Sequence, residues 1–145
     1  MFIKQIKLPT QSKDRLSRLK GRTGIQNWNV LCRWALCFSL SESTIPTDFE
    51  LPADSNLEMS WLTFAGENHE IYEALVRAWC IQNDLSTDDE TLSKYFKLHL
   101  NRGISYLAGT GVIRNIDDLV SLLYKQYRAF LECKMEENAQ DSGAF

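Results

Sequence analysis

Between Asn27 and Leu40 the chain carries Trp28, Val30, Leu31, Cys32, Trp34, Ala35, Leu36, Cys37 and Phe38, and its only polar row at helical spacing is Gln26, Asn29 and Arg33. A helix that is apolar nearly all round must be covered nearly all round. Any fold for this sequence therefore builds itself around residues 27–40, as the central helix of one chain, in a subunit interface, or both. With 145 residues, 44% of them hydrophobic, the chain can bury one core and has no room for a second full domain.

What precedes that helix is short and basic. Residues 2–8 are rich in strand formers, with Phe2, Ile6 and Leu8 on one side and Ile3, Gln5 and Lys7 on the other. Pro9 ends the strand, which at this length needs a partner, expected to be the same strand of a second copy. A first helix is predicted over Ser12 to Lys20, capped by Thr10 or Ser12, with Leu16 and Leu19 as its large apolar residues. Gly21 and Gly24 read as its stop and turn.

After a loop over 41–57, Glu58 to Gly66 reads as a short strand or an irregular apolar stretch. Three further helices are predicted. The first, over Glu67 to Asn83, has Ile71, Ala74, Leu75, Ala78 and Trp79 as its buried stripe. The second runs from a Thr87 or Asp88 cap to Ala108, burying Leu92, Tyr95, Phe96, Leu100, Ile104 and Leu107, with Lys94, Lys97, Asn101 and Ser105 as its solvent row. Gly103 inside it signals close approach of another backbone. The turn Gly109 to Gly111 leads to the third, Ile116 to Cys133, with Asn115 as N-cap. The expected fold is mainly α: a ribbon-helix-helix-like N-terminal module of one short strand and two helices, then three further helices, packed as one domain. That domain spans 1–135, divided into the module (1–40), the loop (41–57) and the helical remainder (58–135), and residues 136–145, ending in Phe145, are expected to be a disordered tail.

Charge is divided along the same lines. Residues 1–40 hold eight Lys or Arg against one acid, Asp14, for +7; the remaining 105 hold eight basic and eighteen acidic residues, for -10. A segment with this balance suits a polyanion, because each cation that meets a phosphate releases condensed counterions. The backbone-contacting residues expected from this reading are Lys7, Lys13, Arg15, Arg18, Lys20, Arg22 and Arg33, with the amides of Asn27, Trp28 and Asn29 at the start of the second helix offered to a phosphate. Base-reading side chains are scarce on the strand, which favours recognition of backbone over sequence. The plainer alternative, that these are ordinary helix-surface cations, fits any one of them better than it fits the cluster.

Enzyme chemistry is harder to find. Cys32, Cys37, Cys80 and Cys133 match no zinc or redox spacing and are expected to be reduced, buried thiols. His99 sits among aromatics and reads as a hydrogen-bonded core histidine, while Arg102 and Arg114 could extend the basic surface or pair with carboxylates. Asp84, Asp88, Asp89 and Glu90 are explained by helix capping. No metal, cofactor or catalytic residue is expected. There is no run of about 18 apolar residues and no signal-peptide pattern, so a cytoplasmic location is expected.

The run LPTQSKDRLSRLKGRTGIQNWNVLCRWALCFSL, followed by WLTFAGE and HLNRGISYLAG, resembles the DndE family of DNA sulfur modification proteins over about residues 5 to 110. The resemblance implies membership of the dnd phosphorothioation system of bacterial defence, in which other subunits carry the chemistry. It implies a small accessory subunit that binds DNA, prefers nicked duplex and works in a complex with those subunits. Lys13, Arg15, Arg18, Lys20 and Arg22 lie within the matching run. From the strand and the apolar helix an even-numbered homo-oligomer, dimer or tetramer, is expected. The alternatives are a DNA nickase that opens the backbone for sulfur insertion, and a scaffold docking on acidic partner proteins.

Overall fold

The helix that the sequence puts at the centre, α2 (Trp28–Ser41), is there in the computed structural model, which describes residues 2–109 and 111–142. Around it run β1 (Gln5–Lys7), α1 (Thr10–Thr23), β2 (Glu58–Ser60), the one-turn α3 (Trp61–Ala65) with a 3-10 turn at Gly66–Asn68, α4 (His69–Gln82), α5 (Asp89–Leu107) and α6 (Ile116–Ser142). Mainly α, with a short strand and two helices leading into three further long helices, the fold class is the one expected. Thr110, in the turn expected after α5, and Phe145 lie outside the described residues.

α2 and α5 form the main packing pair. Leu31, Cys32, Ala35 and Leu36 are sealed on α2, and Gly103 of α5 lets the two backbones touch. A Cβ at Gly103 would lie 1.9 Å from the Ala35 carbonyl oxygen, so the glycine there is a steric requirement. Beneath the α2 N-terminal half, Phe2, Trp61, Phe64 and Phe96 meet edge-on with ring centroids 5.0–5.8 Å apart, except for the tilted Trp61–Phe64 pair at 5.4 Å.

Several expectations change. β1 finds a partner within its own chain, antiparallel to β2 in the register Gln5↔Ser60, Ile6↔Met59, Lys7↔Glu58, where a second copy was expected to supply one. Leu8 N–H donates to Leu57 at 3.1 Å and Trp61 N–H to Lys4 at 2.9 Å, so the loop supplies the partner that the strand lacks locally. Ile3 is buried, leaving Lys4, Gln5 and Lys7 outward. α1 is longer than predicted: it starts behind Pro9, passes through Gly21 and ends at Gly24, whose φ of 76° is the left-handed cap.

On α4 the buried residues are Val76, Trp79 and Cys80, while Ile71 and Leu75 stay exposed. Two apolar stripes overlap on that helix, and packing of Trp79 against His99 (4.2 Å) and Tyr95 (5.3 Å) selects one. Cys32 and Cys80 are buried, but Cys37 and Cys133 are exposed. Burial pushes the Cys32 thiol up to about 12. Finally, residues 136–142 continue α6 where a disordered tail was expected.

Candidate nucleic-acid interface

α1 has one apolar edge, Leu16 and Leu19 with Ser12 and Thr23, and lies on α5 through it. The α5 row expected in solvent is partly its seat. Ser12 Oγ donates to Asn101 Oδ1 at 2.9 Å, Arg15 Nη1 to Ser105 Oγ at 2.7 Å and Arg22 Nη1 to the Ala108 carbonyl at 3.4 Å. Seven residues separate Arg15 from Arg22, and Lys13 from Lys20, so on a helix each pair stands in one column two turns apart. The buried edge lies between the columns, with the arginines towards α5 and the lysines towards the loop and the start of α2.

Each predicted cation can now be placed. Lys7 is exposed on β1 and lies near Asp54, whose carboxyl is held below its usual range first by the Thr10 amide at 2.9 Å and in smaller part by Lys7. Lys13 Nζ donates to Asn56 Oδ1. Arg18 is exposed at the crest of α1 with no partner among the described residues. Lys20 Nζ sits 3.4 Å from the centre of the Trp28 ring, a cation–π contact that fixes its direction without neutralising it. A shallow groove beside this contact is lined by Lys20, Asn27, Trp28, Asn29, Glu58 and Thr63, so three predicted residues, Lys20, Asn27 and Asn29, converge on it. Asn29 is partly engaged there, donating to the Thr63 carbonyl at 2.9 Å and accepting from Val30 N–H at 3.0 Å.

Besides Arg22, with its long bond to Ala108, two of the predicted cations are employed inside the fold. Arg33 Nε donates to the Phe64 carbonyl and Nη2 reaches Thr63 at 3.5 Å, closing the last turn of α3. It is half-buried and stands apart from the α1 face, because the carbonyls at the end of α3 have no intrahelical donor and draw it in. Arg15 is likewise tied to Ser105. The sequence offered no sign of either engagement, nor of Trp28 as the platform under Lys20.

None of the eight Lys and Arg of residues 1–40 forms an ion pair among the described residues. The pairs there join Arg77 to Glu73, Lys94 to Asp48, Arg114 to Asp118, Arg128 to Glu132 and Lys134 to Glu137, all in the acidic remainder. Asp54 lies near Lys7 and Glu58 lines the groove beside Lys20, but neither is within ion-pair distance of a cation of residues 1–40, and a net positive face of this kind suits a polyanion.

The second candidate group, around His99, is structural. His99 is fully buried, and its Nδ1 accepts the Ser39 hydroxyl at 2.8 Å; Arg102 donates to Ser39 Oγ and the Ser39 carbonyl, each at 2.8 Å, and to the Thr44 carbonyl at 2.9 Å. Burial, and then the Arg102 cation, bring the imidazole down to about 3, so it is neutral at physiological pH. Arg102 thus pins the loop to α5 and does not extend the basic surface. Among the described residues no group of three or more His, Cys, Asp or Glu is placed to hold a metal ion.

The family model for the DNA sulphur modification protein DndE matches residues 5–115. The chain belongs to the DndE family. DndE from Escherichia coli B7A, involved in DNA phosphorothioation modification, has a crystal structure that superposes with a TM-score of 0.62 at 26% identity, over 74% of this chain and 98% of that one. A glycine-to-lysine double mutant of DndE superposes with a TM-score of 0.55 at 25% identity, over 72% and 95%. No curated protein sequence matches. Family membership ties the chain to DNA sulphur modification, and all the basic positions singled out from the sequence fall inside the matched region. No helix among the described residues is long and apolar enough to cross a membrane.

Proposed function

We propose that this chain is a non-catalytic DNA-binding accessory subunit of the phosphorothioation machinery, a cytoplasmic protein that works with the other subunits as a dimer or tetramer. The phosphate backbone lies along the outer face of α1, held by Lys7, Lys13, Arg18, Lys20 and Arg22, with Asn27 and the groove at the start of α2 at its end. The single observation that carries the reading is the absence of any ion pair on these cations among the described residues, against the paired charges elsewhere. A preference for nicked duplex follows from the same surface. A nick lets the duplex bend onto α1, and the Lys20–Trp28 pair offers both charge and a ring face to the loosened end. The strand's outward Gln5 and Lys7 leave little with which to read bases.

Titration with intact, nicked and single-stranded DNA across a salt series, with and without Mg²⁺, tests this. Five phosphate contacts per chain predict a log K against log salt slope of about -4.5 on duplex. Arg18→Glu with Lys20→Glu should flatten it by about 2 while α2 and α5 keep their hydrogen-exchange protection. A slope near zero, or equal affinity for nicked and intact duplex, would refute the interface or its preference respectively. Mg²⁺-dependent nicking by the purified chain would replace the accessory role with an enzymatic one.

A further inference from the structure

Glu58 is the part of the groove at the start of α2 that phosphate binding does not use. The groove is open-sided, with a volume of about 550 Å³. That falls within the roughly 300–1,000 Å³ of small-ligand sites. Lys20 and Asn27 in it suit a phosphate, but a carboxylate among them repels one.

The ordinary use of such a carboxylate would be a cross-strand ion pair. Glu58 stands opposite Lys7 in the β1–β2 register, where opposite charges on one face attract. No such pair forms. The two side chains line different depressions, Lys7 the crevice beside Pro9 and Leu51, Glu58 the groove of Lys20 and Trp28. Among the described residues the exposed Glu58 carboxylate has neither an ion pair nor a hydrogen bond.

The groove thus joins three surfaces of different chemistry. Trp28, Leu57 and Met59 give it apolar walls, Lys20 holds a cation over the Trp28 ring, and Glu58 supplies two free acceptor oxygens. These match the three parts of one nucleotide outside the duplex: the flat base, its phosphate and the N–H groups of its pairing edge. A paired base has those N–H groups engaged, so only an unpaired one offers them. Among the bases guanine fits a carboxylate best, because its N1–H and its amino group are adjacent donors that meet both oxygens. Adenine and cytosine put an acceptor beside their amino donor, and thymine flanks its one N–H with carbonyls.

We propose that this groove holds one unpaired nucleotide at a strand end, with Glu58 as a specificity-determining residue that selects guanine. The proposal rests on the DNA-binding reading above and adds base recognition to it, confined to a nucleotide freed at a nick.

The test uses nicked duplexes with a single unpaired nucleotide at the nick, guanine, inosine, adenine or thymine, titrated by fluorescence anisotropy at several salt concentrations. The wild type should bind the guanine duplex about tenfold more tightly than those with adenine or thymine, as one bidentate contact implies. Inosine, which keeps N1–H and lacks the amino group, should fall between. Glu58→Gln should level the series while its urea-unfolding midpoint stays that of the wild type, because the amide turns a donor towards a donor. Equal wild-type affinity for all four, still falling steeply with salt, overturns the nucleotide pocket and leaves the backbone interface standing. A guanine preference that survives in Glu58→Gln, or inosine bound as tightly as guanine, overturns the role of Glu58. An absence of salt-dependent binding to any of the duplexes overturns both readings.

Discussion

Leu31, Cys32, Ala35 and Leu36 of α2 are sealed from solvent, whereas Val120, Tyr124, Tyr127 and Phe130 of α6, just as apolar, are more than half exposed. α2 has α5 laid against it at the closest distance two backbones allow, α3 tied to it through Arg33, and the opening of α6 on its far side. α6 has one neighbouring surface and outruns it. An apolar helix is buried only as far as other elements reach it, and reach depends on chain order and loop length more than on the helix's own composition.

Three changes would break or sharpen that contrast. The largest effect is expected from Gly103→Ala. Its methyl would collide with the Ala35 carbonyl oxygen, and a backbone atom cannot yield without parting α2 from α5, so a loss of about 3 kcal/mol or more in urea unfolding is expected. A cost under about 1 kcal/mol would show that the central pair tolerates separation and that α2 is less enclosed than its contacts indicate.

Next is the pH response of the same pair's polar seam. His99 stays neutral in the fold down to about pH 3, whereas in the unfolded chain it takes a proton near its ordinary value of 6.5. Below 6.5 the unfolded state therefore binds more protons, and stability falls as pH drops, by up to about 1.4 kcal/mol per pH unit from this residue. Urea unfolding at pH 7 and pH 5 of the native chain and of His99→Gln measures it; a native slope no steeper than the variant's would mean the imidazole titrates normally. The smallest effect is expected from Phe130→Ala on α6, within about 0.5 kcal/mol. A larger loss would make the second half of α6 part of the domain's cooperative core.

Much of this architecture is legible in the residues. Gly103 announced a backbone contact, Asp88 and Asn115 cap their helices through Thr91 N–H at 2.7 Å and Asp118 N–H at 3.0 Å, and the basic segment stands unpaired as its composition implied. What escaped the sequence involves partners far along the chain. β1's mate is more than fifty residues away, and the row Asn101 and Ser105 looks like solvent face until α1 is laid on it. Arg15 and Arg33 are indistinguishable in sequence from Arg18, because a guanidinium serves a carbonyl or a phosphate with the same donors.

By itself, then, the sequence determined the five long helices, the central place of α2 and the sign and location of the excess charge. These follow from short-range periodicity and from residue type, which act within a few turns of chain. Only the tertiary structure decided which cations remain available, which of two stripes on α4 is buried, and that α6 carries an apolar face out of the domain. Each of those depends on which distant surface arrives first at a side chain that could satisfy several, and no local pattern encodes that arrival.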